Sequence, residues 1–110
     1  LDRLGHRFFH DCEAMDHACG HLDAILAPFI HRWRQGGYEV IVTADHGQDA
    51  RGHHGGTGEE QRDFAFYYFG NGSLPPEDDV LDQLALAPSI LTRLGVAVPA
   101  TMKAKPFLTA

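Results

Sequence analysis

From Asp11 to Arg34 apolar residues recur at alternating spacings of three and four: Cys12, Met15, Cys19, Leu22, Leu26, Phe29 and Trp33. That period predicts one long amphipathic helix with a single apolar stripe. Asp11 suits its N-cap, and Gly36-Gly37 supplies the stop. Pro28 removes one backbone donor, so a kink is expected near the last turns. The run Tyr38 to Ala44 reads as a buried strand. Residues Asp45 to Asp63 are polar and glycine-rich, without a hydrophobic period of their own. A loop of that length inside a compact domain is usually functional. Phe64 to Phe69 predicts a second strand, and Gly70 to Asp79 a turn-rich connection through Pro75-Pro76. A short helix is expected around Pro88 to Leu94, ended by Gly95, with an irregular docked tail through Pro106.

Strand, helix, strand order predicts an α/β architecture with a mainly parallel sheet flanked by helices. Such a sheet needs both faces covered, and one long helix with one short one is thin cover. At 110 residues the chain is one small domain, too small for its own fold. It shows no internal repeat, low-complexity tract or dividing linker.

Composition narrows the partners. With 44% apolar and 22% charged residues the chain is an ordinary globular one, and its formal charge is −6. That charge disfavours non-specific binding to nucleic acid or an anionic membrane surface, and two divalent cations would bring it to −2. No apolar run is long enough to span a bilayer and no signal peptide is visible; the compartment stays open, with the cytoplasm favoured. Cys12 and Cys19 sit seven residues apart on one predicted helix. Their Cα atoms would be about 10 Å apart, too far for a disulfide. On the apolar face they read as small buried hydrophobes.

The candidate chemistry lies around the predicted strands. Ala44-Asp45-His46-Gly47 stands at the carboxyl end of an apolar strand, where open α/β sheets place ligand sites. Asp45 and His46 can share a cation if the backbone turns at Gly47. A turn-capping aspartate beside an incidental histidine explains the tetrapeptide equally well. His53-His54-Gly55-Gly56 offers imidazole ligands and a backbone able to pass close to a metal or substrate. Upstream, Asp2-Arg3-Leu4-Gly5-His6 pairs a carboxylate with a histidine. His17 and His21, four apart on the long helix, lack the glutamate of a zinc-protease motif and read as a solvated pair, as do His10 and His31. Glu77-Asp78-Asp79 reads as a solvated loop.

Together, Asp-x-x-Gly-His, a helix, a strand ending in Ala-Asp-His-Gly, then His-Gly-Gly resemble the alkaline phosphatase superfamily. The best match is its type I phosphodiesterase/nucleotide pyrophosphatase branch. Thr57-Gly58-Glu59-Glu60, the apolar strand that follows, and Ala87-Pro88-Ser89-Ile90-Leu91 through Leu94-Gly95 extend the likeness. Phe9, Gln48 and Ala104 depart from frequent family residues (glycine, methionine and glycine), at positions that are not ligands. The resemblance implies that residues 1–110 are the C-terminal portion of one catalytic domain. The nucleophile would then lie upstream, with no catalytic residue in this chain. It implies two divalent metal ions, zinc favoured and manganese plausible from mixed His and Asp ligation. Asp45 and His46 would hold the metal that activates the nucleophile. Asp2, His6 and His54 would hold the one that stabilises the leaving oxygen and activates water.

The implied reaction is hydrolysis of phosphodiester or nucleotide pyrophosphate bonds in a small-molecule substrate. Rivals on the same scaffold are a phosphomonoesterase, a phosphonate hydrolase and a sulfatase, since fold and metals do not fix the substrate. A different class of rival is a catalytically silent, truncated metal-binding piece. Asp45, His46 and His54 are expected to converge, with Asp2, near the chain's beginning, and His6 close by but displaced.

Overall fold

The computed structural model describes residues 1–9, 12–76 and 79–109. His10, Asp11, Glu77 and Asp78 lie outside the described residues, and with them the expected Asp11 cap and most of the acidic loop. The chain divides into two compact units, Leu1–Gly70 and Asn71–Ala110.

The first unit opens on a helix that periodicity does not announce, α1 over Asp2–Phe8. The long helix follows as α2 over Glu13–Gln35, running on through Pro28. Its end is tied by the Gly36 N–H to the Arg32 carbonyl and the Tyr38 N–H to that of Trp33. Helix α2 buries none of its residues. Leu22, Phe29 and Trp33 of the predicted stripe stay 39%, 46% and 42% exposed. Cys12 is half-buried and Cys19 exposed, both as free thiols, which corrects the expectation of two buried cysteines.

Strand β1, Val40–Thr43, pairs antiparallel with β2, Phe66–Phe69, in the register Val40 to Phe69 through Thr43 to Phe66. The sheet described is thus two-stranded and antiparallel, not the mainly parallel sheet expected. The reason lies in the connection. A parallel return needs a crossover of a dozen or more residues, usually a helix spanning the sheet. Between these strands the one helix is α3, Glu59–Arg62, a single turn. The rest is turn and loop, with no helix long enough to cross the sheet, and the chain returns alongside β1 in the opposite sense. Tyr68 fixes the far end of the pair by donating its hydroxyl to Glu39 at 2.9 Å.

In the second unit a 3-10 turn over Gln83–Ala85 leads into α4, Leu86–Arg93. Helix α4 stops as its sequence predicts: Gly95, at φ +68, donates to the Thr92 carbonyl and Val96 to that of Leu91. These are the two bonds of a Schellman ending. The tail docks as expected, with Leu108 1% exposed and Ser89 fully buried. The Ser89 hydroxyl accepts from the Phe107 N–H at 2.8 Å and the Leu108 N–H at 3.4 Å.

Candidate metal centre

Every candidate ligand lies in the first unit. The loop from β1 to β2 carries Asp45, His46 and His54, and α1 carries Asp2 and His6 one helical turn apart on the same face.

The loop is shaped by close backbone approaches. Gly47 is buried, and its N–H donates to the Gln61 carbonyl at 3.0 Å. A Cβ there would collide with the carbonyls of Glu60 and Asp63. Its small size, more than a special φ, is what the site requires, so α3 presses directly against the residue after His46. Farther along, Gly52 adopts φ +77 and faces the Gly5 carbonyl of α1, with the Gly5 carbonyl carbon 2.7 Å and the His6 Cα 3.0 Å from where a Cβ would stand. Gln48 closes this junction: its side-chain amide lies against Gly5 and donates to the Gly52 carbonyl at 3.0 Å and to Asp2 Oδ1 at 3.4 Å.

The result is a cluster around one carboxylate oxygen. Asp2 Oδ1 lies 3.4 Å from His6 Nε2, 3.6 Å from His54 Nε2 and 4.0 Å from His46 Nε2. His6 and His54 face each other Nε2 to Nε2 at 3.2 Å, and the His46 and His54 rings stack with centroids 3.9 Å apart. His46 donates Nδ1–H to the Gly47 carbonyl at 3.0 Å, which leaves its Nε2 lone pair directed at the cluster.

This donor set fits a divalent cation. In a tetrahedral zinc site with bonds near 2.0–2.1 Å, neighbouring ligand atoms stand about 3.3 Å apart. The pairwise distances among Asp2, His6 and His54 run from 3.2 to 3.6 Å. Ligand atoms of Asp2, His46 and His54 also lie within 4.8 Å of one another. Three imidazoles and a carboxylate aimed inward place lone pairs against lone pairs, an arrangement that a shared cation or proton relieves.

The structure orders the ligands differently from expectation. Asp2 is at the centre of the cluster, not displaced from it. Asp45 is peripheral: its side chain is 89% exposed, with Oδ1 3.6 Å from His46 Nε2. His46, assigned by the resemblance to the other metal, stands with Asp2 and His54. His53 points to Asp49, Nδ1 to Oδ2 at 3.8 Å.

Three residues hold the site together: Asp49 and Gln61, which the sequence reading passed over, and Gln48, noted there only as a departure from the family pattern. Asp49 Oδ1 accepts the backbone N–H groups of Arg51 and His53, each at 2.9 Å. Its Oδ2 accepts the Gln61 amide at 2.8 Å. The His53 N–H foremost, with Gln61 and the Arg51 N–H adding, holds the Asp49 carboxyl below the ordinary carboxylate range against the opposing effect of burial. An aspartate two residues before an accepting turn, as in Asp49-Ala50-Arg51-Gly52, is a recognisable Asx-turn signal. Nothing in the sequence marks Gln61.

Comparison with known proteins finds distant homologues. The 2,3-bisphosphoglycerate-independent phosphoglycerate mutase of Aeromonas salmonicida is 32% identical over 117 residues, covering 97% of this chain and 21% of the mutase. That of Shewanella baltica (strain OS185) is 31% identical over 112 residues, with the same coverage of 97% and 21%. The catalytic subunit of GPI ethanolamine phosphate transferase 3 from Mus musculus is 27% identical over 104 residues, 90% of this chain and 9% of the transferase. Both kinds of enzyme belong to the alkaline phosphatase superfamily. The chain is their distant homologue. It spans about a fifth of the length of the mutases and about a tenth of the transferase. No protein family model matches the chain, and no solved structure matches it significantly.

Proposed function

We propose that this chain carries metal-ligand residues of a phosphoester-processing site, in a protein that hydrolyses phosphodiester or nucleotide pyrophosphate bonds. The observation that carries the reading is the convergence of His6, His46 and His54 on Asp2 Oδ1, drawn from segments about 40 to 50 residues apart in sequence. Distant homology to a mutase and a transferase that process phosphoesters supports the chemistry. Asp2, His6, His46 and His54 bind and orient; Asp45 completes the second position of a two-metal arrangement from its exposed place beside His46. Bound divalent ions, zinc or manganese, would neutralise phosphate charge and lower the pKa of a coordinated oxygen. The nucleophile belongs to a preceding segment of the same catalytic domain, and residues 1–110 form the domain's C-terminal portion. The absence of any buried residue in α2 favours a larger domain in which that helix is covered.

A second reading follows from the relatives. They are a phosphoglycerate mutase and an ethanolamine phosphate transferase, so the same ligands serve equally in a mutase or transferase. Assays on the parent protein separate the two. Turnover of bis(p-nitrophenyl) phosphate with zinc or manganese, lost in His54→Ala and kept in His17→Ala, supports the hydrolase. Phosphate transfer to an acceptor without net hydrolysis supports the second reading. Equal losses for His17→Ala and His54→Ala would overturn the ligand assignment itself.

A further inference from the structure

Asp49 touches none of the candidate ligands, yet its bonds close the whole turn that delivers His54. Its main-chain N–H donates to the His53 carbonyl at 2.9 Å, and its carbonyl accepts from the Gly52 N–H at 2.8 Å. The His53 carbonyl belongs to the planar peptide unit whose nitrogen is that of His54. Asp49 therefore holds both polar groups of His53, the carbonyl by its backbone and the N–H by Oδ1 at 2.9 Å. The direction in which the chain leaves for His54 is set by that clamp.

The clamp is anchored to the other end of the loop. Gln61 donates its side-chain amide to Asp49 Oδ2 at 2.8 Å, while its carbonyl accepts the N–H of Gly47, next to His46. One residue of α3 thus links the backbone beside His46 to the carboxylate that fixes His54. The two rings stack with centroids 3.9 Å apart, which requires such registration of their backbones.

We propose that Asp49 is a positioning residue for the metal centre, acting through His54 and locked in place by Gln61. This rests on the reading of His54 as a metal ligand. Partners that orient ligands typically contribute about 10–100-fold in metal affinity.

The test is a double-mutant cycle on the 110-residue chain, with Zn²⁺ alone as probe in isothermal titration calorimetry. Visible absorption of bound Co²⁺ provides a second readout of ligand geometry. Asp49→Ala should weaken zinc binding about tenfold or more and alter the cobalt bands. Asp49→Asn, which keeps an acceptor oxygen for the Arg51 and His53 N–H groups, should recover most of the affinity. In a His54→Ala background Asp49→Ala should cost nothing further, because the ligand it orients is gone. Undiminished affinity in Asp49→Ala, or an equal loss with and without His54, overturns the proposal. If Asp49→Ala loses its helical circular dichroism, Gln61→Ala decides: a smaller, His54-dependent loss supports the clamp, and unchanged affinity overturns it. Zinc affinity unaffected by His54→Ala refutes the ligand reading, and the positioning role falls with it.

Discussion

Gly52→Ala probes the junction between helix α1 and the histidine loop. The residue sits at φ +77, where a Cβ costs about 1–2 kcal/mol in backbone energy alone. The methyl would also stand 2.7 Å from the Gly5 carbonyl carbon, whereas ordinary contact begins at 3.4 Å. The carbon alone requires 3.4 − 2.7 = 0.7 Å, and the Gly5 carbonyl oxygen stands closer still, so α1 and the loop must separate by more than that. Overpacking against backbone of this kind costs about 1–3 kcal/mol more. Metal sites tolerate departures of about 0.2 Å in ligand distance, so the shift pulls Asp2 and His6 out of reach of a cation held by His54. Zinc affinity measured by calorimetry should fall about tenfold or more. Gly37→Ala is the matched control: φ is +83, but nothing lies within 4 Å of the added carbon. It should lower the melting temperature through strain and leave zinc binding intact. Wild-type affinity in Gly52→Ala, or an equal loss in Gly37→Ala, would refute this reasoning.

Other consequences are as direct. Ser89→Ala removes the acceptor of two backbone N–H groups in a fully buried setting and should cost about 1–3 kcal/mol. Hydrogen exchange should show the Phe107 and Leu108 amides losing protection, and retained protection would count against the docking role of the hydroxyl. Because the folded-state pKa of Asp49 is depressed, its contribution is complete above the unfolded value and is lost as pH falls through the lowered one. Carbon-detected NMR should therefore place the Asp49 titration below the ordinary aspartate range, with the Arg51 and His53 amide shifts moving together with it. A titration at or above that range would remove the turn's hydrogen bonds from the account.

Periodicity located α2 to within two residues at each end, because a 3.6-residue repeat over six turns leaves little freedom. What the stripe could not supply was a partner. Burial depends on what packs against the helix, and Leu22, Phe29 and Trp33 remain substantially exposed. The two strands were legible as apolar runs, yet their relative direction was not. Sense is decided by the connection, and a single turn at Glu59–Arg62 is not visible within a polar stretch. Helix α1, seven residues with Gly5 at its middle, is too short to display a period. Asp2, His6, His46 and His54 could be picked out by residue type and motif spacing. The exposed placement of Asp45 beside His46 was not legible, because adjacency in sequence says nothing about how far a side chain projects into solvent. Gln48 stood out only as a departure from the family's methionine, and Gln61 not at all, for a plainer reason: polar side chains in a polar loop carry no pattern until their partners are known.

Helix α1 buries a single residue, Gly5, and meets the loop largely through backbone and amide contacts. Little apolar area leaves water at that seam, so the roughly 25 cal/mol/Å² that drives most packing has little to act on. A cation shared by His6 and His54 would join points 48 residues apart. By the chain-entropy relation for disulfides, closing a loop of that length restricts the unfolded chain by about 4 kcal/mol. The ion would then be a removable cross-link as well as a reagent, fastening the chain's first helix across a seam that burial scarcely holds.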